Sequence, residues 1–438
     1  MRRRDALKLL AGGAAAVSLH PLLRAAGSQP DDFFIFIHAA GGWDVTLWSD
    51  PRNERRGITE PATTATLETG ALRYWRNRAD SFEPLATKGH VLGPAIGGLY
   101  DLADRLTIIN GIAMNTVSHP DGIAYSCTGR HRTGGTLPES SIDVLVANER
   151  GLAQMMPGVS VRFPSAFVGT HLDRRAVPLR IADVGALTHS FERSPDYLDD
   201  ADRTAITAVL SEEATALARS STHPATYEQL ANQQQSLAKL LTGDFTHAFS
   251  RKQLESAYPQ FNYRGRAHGK QAVVGAFAVE AIRRNVVRCV SFALGQLDTH
   301  GANYRTHGTV LQELFDLVAA IVKLLDTTPH PTSPTARLSE RTHILVVSEF
   351  CRTPQLNTNG GRDHYPNNSA LVISPRFRGG RSFGSTDPDQ LLPLDFGKFA
   401  DGARPLAPPD VLATFLGAFG INPRRYMRDG EIVKALLA

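Results

Sequence analysis

The sequence predicts a three-layer α/β fold, in which a mostly parallel sheet carries helices on both faces. Short β-branched and aromatic runs alternate along the chain with longer segments whose apolar residues recur at helical spacing. Such an alternation is the pattern of parallel sheets with right-handed crossovers. The chain has 438 residues, 42% hydrophobic and 21% charged, which is enough for one large α/β domain and excludes disordered and fibrous classes.

Seven short segments are predicted to be strands because they are apolar and rich in β-branched or aromatic residues. Gly41 and Gly42 end the first of them. The sixth is so apolar that both of its faces are expected to be covered. The predicted strands are 33–38, 106–110, 159–161, 166–169, 286–294, 343–347 and 370–373.

Apolar residues at helical spacing predict two long helices packed on this sheet. One contains Ala272, Val273, Phe277, Ala281 and Ile282, and the other, from Asn303, contains Leu311, Leu314, Val318, Ile321 and Leu325. A third helix is predicted at 138–149, with Pro138 near its first turn. The polar segment 199–241 predicts two helices of an insertion at about 196–264, and 327–339 is predicted to be a surface connection.

The amino-terminal segment, residues 1–27, predicts an export signal. Arg3-Arg4-Asp5-Ala6-Leu7-Lys8 precedes an apolar run at 9–19 and small residues at 25–27. This pattern resembles the twin-arginine export motif, which implies the twin-arginine export machinery as a partner and a periplasmic or secreted protein. The run is shorter than the roughly 20 residues that cross a bilayer, so no transmembrane segment is expected in the mature domain, 28–438. The alternative is a basic terminus on a cytoplasmic protein.

The charge distribution gives little support to nucleic-acid binding. The formal net charge is +4, and residues 1–27 alone carry five basic side chains against one acidic side chain. The mature domain is therefore about neutral, and no nucleic-acid partner is expected. Its three cysteines, Cys127, Cys289 and Cys351, are too few for a disulfide framework and lack the spacing of a zinc motif.

Acidic and imidazole side chains follow the predicted strands at the sheet edge where open α/β folds bind ligands. Carboxylates combined with imidazoles suit Zn²⁺, Mn²⁺ or Fe, and a subset of oxygens alone would suit Mg²⁺ or Ca²⁺. Alternatively, Asp44 is a turn former and 298–301 a polar turn, and His307 is predicted to lie on the surface. The candidate metal ligands are Asp44, Asp298, His300, Glu349, Asp363 and His364.

Several motifs, in order along nearly the whole mature chain, resemble the domain of unknown function 1501 family. They are Gly41-Gly42-Trp43-Asp44, Gln296-Leu297-Asp298-Thr299-His300-Gly301, Ser348-Glu349-Phe350-Cys351-Arg352-Thr353, Gly361-Arg362-Asp363-His364 and the terminal run 410–421. That family is similar to the alkaline phosphatase and sulfatase superfamily. The resemblance implies an alkaline phosphatase-like fold and the transfer of phosphoryl or sulfuryl groups.

The resemblance also suggests roles for individual residues. Glu349 matches a metal-binding Asp of the superfamily, His364 matches its late metal-binding His, and Asp44 matches its early Asp. Phe350 stands at the position of a second ligand and cannot bind metal. Asp298 and His300 resemble the superfamily's Asp and His pair, but one residue separates them instead of three.

A candidate nucleophile lies in the segment that begins at Ser118-His119-Pro120. Together with Thr128-Gly129-Arg130 it resembles the sulfatase nucleophile region, but Gly122 replaces the arginine of that signature, which disfavours sulfatase chemistry through formylglycine. As a nucleophile, Ser118 needs a metal to lower its pKa, and otherwise it is a helix cap. His119 is a ligand or a loop residue. The candidates for holding the anion are Arg130, Arg352 and Arg362.

Three functions remain open on the sequence. The first is an exported metal-dependent hydrolase or transferase of small anionic phosphate or sulfate esters, attacking through Ser118 or a metal-bound hydroxide. The second is a non-catalytic binding or assembly protein that keeps the fold and a structural metal. The third is a metal-dependent hydrolase of an amide or glycan bond.

Overall fold

A computed structural model of the chain describes residues 31–51, 77–78, 81–82, 85–191 and 245–438, together with helical residues at 201–202, 204–205, 208–209, 212–213 and 216. The predicted signal at 1–27 lies outside the described residues, as does most of the predicted insertion at 196–264. The described residues from Phe33 to Ala438 form one compact unit.

Eight strands form the central sheet. They are β1 (Phe33–Ala39), β2 (Leu106–Ala113), β3 (Met156–Val161), β4 (Leu179–Ile181), β5 (Val287–Leu294), β6 (Thr342–Ser348), β7 (Asn367–Ile373) and β8 (Arg381–Phe383). Their order across the sheet is β8-β2-β7-β6-β1-β5-β3-β4. Strand β7 pairs antiparallel with both neighbours, and every other pair is parallel. The sheet is therefore mostly parallel, with one reversed strand.

Strand β1 lies in the middle of the sheet, and all seven of its residues are buried. Its side chains alternate between two separate hydrophobic clusters, with Phe33, Ile35 and Ile37 in one and Phe34 and Phe36 in the other. Successive side chains of a strand point to opposite faces of a sheet. The alternation shows that both faces of the sheet are covered, which is why the strand is apolar throughout.

Apart from the separate helical residues between 201 and 216, the described residues contain eight helices, two π-helical turns and short 3₁₀ segments. The helices are α1 (His119–Thr128), α2 (Ile142–Val146), α3 (Val184–Phe191), α4 (Phe245–Ala248), α5 (Arg251–Ala257), α6 (Gly269–Arg283), α7 (Thr309–Thr327) and α8 (Pro408–Ala418). The π-helical turns are Ala147–Gly151 and Tyr304–Gly308, and the 3₁₀ segments are Val45–Leu47, Gly97–Arg105, Arg174–Ala176, Leu338–Glu340, Pro423–Arg425 and Lys434–Leu436. No helix in this part of the chain combines the length and hydropathy of a membrane span.

The helices divide between the two faces of the sheet. Buried residues of α6 and α7 share a hydrophobic cluster with Phe33, Ile35 and Ile37, and buried residues of α1, α2 and α8 share the other cluster with Phe34 and Phe36. This confirms the predicted three layers and the mostly parallel sheet. Within the described residues, five two-stranded ribbons lie outside the sheet. They pair Asn77–Arg78 with Ser81–Phe82, Leu85–Thr87 with His90–Leu92, Pro329–His330 with Ser333–Arg337, Cys351–Arg352 with His364–Tyr365, and Gly397–Phe399 with Gly402–Arg404.

Two predicted elements differ from the structure for a shared reason. Segment 166–169 is not a strand, because the amides of Ala166 and Val168 donate to the hydroxyls of Ser141 and Ser140 instead of to a neighbouring strand. Those serines precede the helix that was predicted to begin near Pro138. The helix begins instead at Ile142, with Ser141 in extended conformation before it.

The reversed strand decides where the chain leaves the sheet. The carboxyl ends of β1, β2, β5 and β6 meet at one edge, and β7, which runs the other way, begins at that same edge. Residues that precede β7 therefore lie beside residues that follow the other four strands.

Candidate metal centre

Three imidazole rings converge on one carboxylate oxygen at this edge. Asp298 follows β5, His119 is the first residue of α1, and His300 and His364 come from the loops after β5 and before β7. The Nε2 atoms of His300, His364 and His119 lie 3.1, 3.2 and 3.3 Å from Oδ1 of Asp298. His119, Asp298 and His364 each offer a ligand atom, and these atoms lie within 4.8 Å of one another.

Each of the three rings has its other nitrogen occupied. Nδ1 of His119 lies 3.0 Å from Oε1 of Glu349, and Nδ1 of His300 lies 2.6 Å from Oδ1 of Asp363. Nδ1 of His364 lies 2.9 Å from the backbone carbonyl oxygen of Val117. A carbonyl oxygen only accepts hydrogen bonds, so His364 donates from Nδ1 and its Nε2 carries a lone pair when the ring is neutral. The carboxylates of Glu349 and Asp363 favour the same tautomer in the other two rings.

The glycines of two motifs are required by close backbone contacts. Gly41 has φ +115°, and a Cβ there would lie 2.3 Å from the backbone nitrogen of Asp298. A Cβ on Gly361 would lie 2.1 Å from the backbone carbon of His300. The loop that carries Asp298 and His300 is therefore held between two glycine positions.

Phe350 forms an apolar wall beside the imidazoles. Its ring is buried, with centroids 4.5 Å from that of His364 and 4.9 Å from that of His119. Phe350, which stands at the position of a second superfamily ligand, thus packs against two rings of this group. We call Asp298 and the three histidines around its Oδ1, His119, His300 and His364, the convergent group.

Arg352 is buried and is fully engaged by the protein. Its Nε donates to the carbonyl oxygen of Gly42, its Nη1 to that of Arg362, and its Nη2 to those of Gly41 and Leu297 and to Oδ1 of Asp298 at 2.9 Å. All three guanidinium nitrogens thus donate to protein acceptors, which disfavours the predicted role of holding a substrate anion. Of the other two candidates, Arg130 pairs with Glu139 at 3.2 Å and Asp429 at 3.8 Å, and Arg362 pairs with Asp44 at 3.1 Å.

Asp44 contacts a different set of side chains and takes part in a separate buried network. Its Oδ1 accepts from the backbone N–H and hydroxyl of Thr46, and its Oδ2 accepts from Asn303 at 2.7 Å and lies 3.1 Å from Nε of Arg362. Both Asp44 and Arg362 are fully buried. Asp44 caps the 3₁₀ segment Val45–Leu47, as its alternative reading as a turn former predicted.

His307 belongs to the same network, although it was predicted to lie on the surface. It is fully buried, its Nε2 accepts from the backbone N–H of Asp44 at 2.8 Å, and its Nδ1 lies 2.8 Å from the hydroxyl of Thr299. It lies in the π-helical turn Tyr304–Gly308, one turn before Leu311 of α7, and this spacing from the apolar stripe of α7 is the sequence signal that indicated burial.

Hydrogen bonds and nearby charges lower the pKa of the carboxylates of this edge. Burial raises the pKa of Asp298, but the hydrogen bond from Arg352, and that from His364 when its ring is protonated, outweigh burial and hold the pKa well below its usual range. Burial also raises the pKa of Glu349, but the hydrogen bond from His119 and the charge of His38 lower it by more. The hydrogen bond to Glu349 raises the pKa of His119, and the bond from His300 lowers that of Asp363.

Ser118 lies immediately beside the convergent group. It is exposed and stands between Val117, whose carbonyl holds His364, and His119. It occupies the residue before α1, but its side chain makes no capping hydrogen bond to that helix. The sequence left open that Ser118 is a helix cap, but its hydroxyl does not cap α1.

Asn357 is a contributor that the sequence did not indicate. Its Nδ2 donates to the carbonyl oxygen of His300 and to Oδ1 of Asp363, and its Oδ1 accepts from the amides of Asn359 and Gly361. In sequence it is one of several turn-forming residues between Thr353 and Gly361, and no local pattern distinguishes it.

Comparisons with known proteins give a family and distant structural similarity. No curated protein matches the chain. Two solved structures, of Ps i-CgsB and of Ps i-CgsB in complex with k-i-k-neocarrahexaose, are each 10% identical over 89% of this chain and 72% of theirs, with TM-scores of 0.36 and 0.35. Similarity this low supports no conclusion about function. The profile of the family described as protein of unknown function (DUF1501) matches residues 32–431, and the chain therefore belongs to that family.

Proposed function

We propose that this protein is a metal-dependent hydrolase or transferase of phosphate or sulfate esters, exported to the periplasm or secreted, with its metal held by His119, Asp298 and His364. The supporting observation is the convergence of three Nε2 atoms on one carboxylate oxygen. With each Nδ1 donating outward, neutral rings would turn lone pairs towards an anion. A cation between them removes that repulsion.

The donor atoms favour particular metals. Two imidazoles and one carboxylate are the ligands of several catalytic zinc sites and also suit iron and manganese. Mg²⁺ and Ca²⁺ prefer oxygen ligands, so they fit this group less well. The three protein ligands leave coordination positions for water or substrate.

The remaining residues have distinct proposed roles. A bound cation of this kind lowers the pKa of a coordinated oxygen nucleophile and polarises the ester. Ser118 is placed beside the ligands with its hydroxyl unused by the helix, so it is the candidate nucleophile. His300 and Asp363 pair with each other at 2.6 Å and are about half exposed, so both are accessible to substrate. The ester class rests on the motifs that resemble the alkaline phosphatase and sulfatase superfamily.

The test is metal content, measured on the purified exported protein by elemental analysis. We expect about one equivalent in the wild type and in the control Asp173→Asn, an exposed acid outside the group, and none in Asp298→Asn or His364→Gln. Full metal content in both ligand variants would reject the assignment. Changing Arg3 and Arg4 to lysine is expected to retain the precursor in the cytoplasm, and unchanged export would reject the twin-arginine route.

A second candidate is a non-catalytic protein with a structural metal. The engagement of all three guanidinium nitrogens of Arg352 by protein acceptors and the presence of Phe350 at a ligand position favour it. Hydrolysis of p-nitrophenyl phosphate and p-nitrophenyl sulfate separates the two. Metal-dependent hydrolysis that Ser118→Ala lowers at least tenfold supports the enzyme, and its absence with metal bound supports the second candidate.

A further inference from the structure

Glu349 has an environment unlike that of the other acids at this edge. It directly follows β6 and its side chain is 1% exposed, whereas that of Asp298 is 51% exposed. Its Oε1 accepts from the backbone N–H of Gly41 at 2.6 Å and from Nδ1 of His119 at 3.0 Å. Its Oε2 lies 3.2 Å from the hydroxyl oxygen of Ser348, whose hydrogen has a shorter acceptor in the carbonyl oxygen of Ala39 at 2.6 Å, and 3.4 Å from Nε2 of His38. Protein donors therefore satisfy Oε1, the oxygen that faces His119, without a cation.

The position of Glu349 relative to His119 separates it from the metal ligands. The two nitrogens of an imidazole ring point in divergent directions, and Nε2 of His119 is the one that faces Asp298. Glu349 contacts Nδ1, on the other side of the ring. One ion cannot bind both Nε2 of His119 and the oxygen that holds its Nδ1. The group of close ligand atoms accordingly contains His119, Asp298 and His364 and does not include Glu349.

We infer that Glu349 is a positioning residue, whose buried carboxylate holds His119 in the tautomer and orientation that direct Nε2 to the metal. This inference rests on the proposed metal site and reverses the ligand role that the family resemblance implies for Glu349. A carboxylate behind a metal-binding imidazole fixes the ring and raises its basicity.

His38 completes this arrangement from the far side. It lies on β1, is buried, and faces Oε2 of Glu349. The carboxylate thereby lies between an imidazole of the core, at 3.4 Å, and an imidazole of the site, at 3.0 Å. The amide of Gly41 provides a further fixed contact, from the same glycine turn that packs on the backbone of Asp298.

The inference predicts a graded loss of affinity instead of a loss of the site. Changing a residue behind a metal ligand typically weakens binding about 10–100-fold, whereas removal of a ligand from a three-residue site prevents stoichiometric binding. Glu349→Gln keeps an oxygen that can accept from His119 and Gly41, so it belongs at the lower end of that range. Glu349→Ala removes the acceptor and belongs at the upper end.

The experiment titrates the metal-stripped full chain with Zn²⁺ in competition with a chromophoric chelator. We expect one equivalent in the wild type, Glu349→Gln and Glu349→Ala, with the Kd raised about 10-fold and 100-fold in the two variants. Glu280→Gln changes another buried glutamate, outside the site, and is expected to lower stability without moving the Kd. The visible spectrum of bound Co²⁺ should keep its form in Glu349→Gln, because the ligands are the same.

The outcomes that overturn the inference are distinct from the failure of the metal site. Stoichiometric binding lost in Glu349→Gln as completely as in Asp298→Asn makes Glu349 a ligand and leaves the proposed function intact. A Kd within twofold of the wild type in both Glu349 variants, or raised equally by Glu280→Gln, removes the positioning role. A wild type that binds no Zn²⁺ overturns the proposed function and this inference together.

Discussion

The change Asp44→Asn tests whether the buried ion pair between Asp44 and Arg362 stabilises the folded protein. In Asp44→Asn, one of the two side-chain oxygens becomes an NH₂ group. Both oxygens of Asp44 face donors only, from Thr46 on one side and from Asn303 and Arg362 on the other. The amide cannot satisfy both sides, and the guanidinium of Arg362 loses its buried counter-charge. Breaking a buried pair in this way costs about 3–5 kcal/mol.

Asp173 provides a matched control for this change. It also caps a 3₁₀ segment, Arg174–Ala176, and also pairs with an arginine, Arg175, but both side chains are at least one-third exposed. An exposed pair contributes about 0–1 kcal/mol. Urea unfolding followed by tryptophan fluorescence measures both variants, and Trp43 next to Asp44 reports on the region directly.

Two results would refute the reasoning on Asp44. A loss of unfolding free energy no larger in Asp44→Asn than in Asp173→Asn would show that the buried pair is not stabilising. A folded Asp44→Asn protein of normal stability that has lost its metal would make Asp44 the ligand that the family resemblance implies. We expect the folded fraction to keep its metal.

Three further predictions concern other sites. Gly41→Ala is expected to lose metal and more than about 2 kcal/mol of stability, because its Cβ would overlap the backbone of Asp298, whereas Gly134→Ala, also at positive φ but with no neighbour within 4 Å, should cost about 1 kcal/mol and keep the metal. Arg352→Lys keeps the charge but loses the forked contacts, so weaker Zn²⁺ binding is expected and an unchanged Kd would contradict the structure. Glu280→Gln should cost about 2 kcal/mol at pH 7. Burial raises the pKa of Glu280, but hydrogen bonds from Arg283, Tyr258 and Arg284 lower it by more, so the folded-state pKa lies below the unfolded value of about 4.3. The stabilisation by ionised Glu280 is therefore present above that value and is lost as the pH falls through the folded-state pKa. The unfolding free energies of the two proteins should therefore begin to converge as the pH falls below about 4, and a difference that does not shrink in acid would contradict the pairing.

The sequence predicted the layers and the edge of the sheet well, because both depend on local patterns. Strands β1, β5 and β6 agree with their predicted segments to within one residue at each end. Their carboxyl ends are followed by the acids and imidazoles that the sequence singled out. The reversal of β7 was not predictable, because an apolar strand carries no signal of its direction.

The roles of individual residues at the site were harder to predict from the sequence. They depend on which nitrogen of a ring, or which oxygen of a carboxylate, a group from a distant part of the chain contacts. Asp298, His300 and His364 are brought together as expected, and His119, given as either ligand or loop residue, joins them. Asp44 meets Arg362 instead, a partner more than 300 residues away in sequence that no local pattern reveals.

Because β7 runs antiparallel to β6, one continuous segment of the chain carries several residues of the site. Because β6 and β7 are antiparallel neighbours, the segment between Ser348 and Asn367 departs from the sheet and rejoins it at a single edge. This one excursion carries Arg352, Arg362, Asp363 and His364 on a frame closed by the ribbon of Cys351–Arg352 and His364–Tyr365. The ribbon closes this segment locally, but Arg352, Arg362 and His364 take their contacts from Gly41, Asp44 and Asp298 in other parts of the chain. A graft of the segment onto another antiparallel strand pair would therefore carry these residues without the partners that orient them.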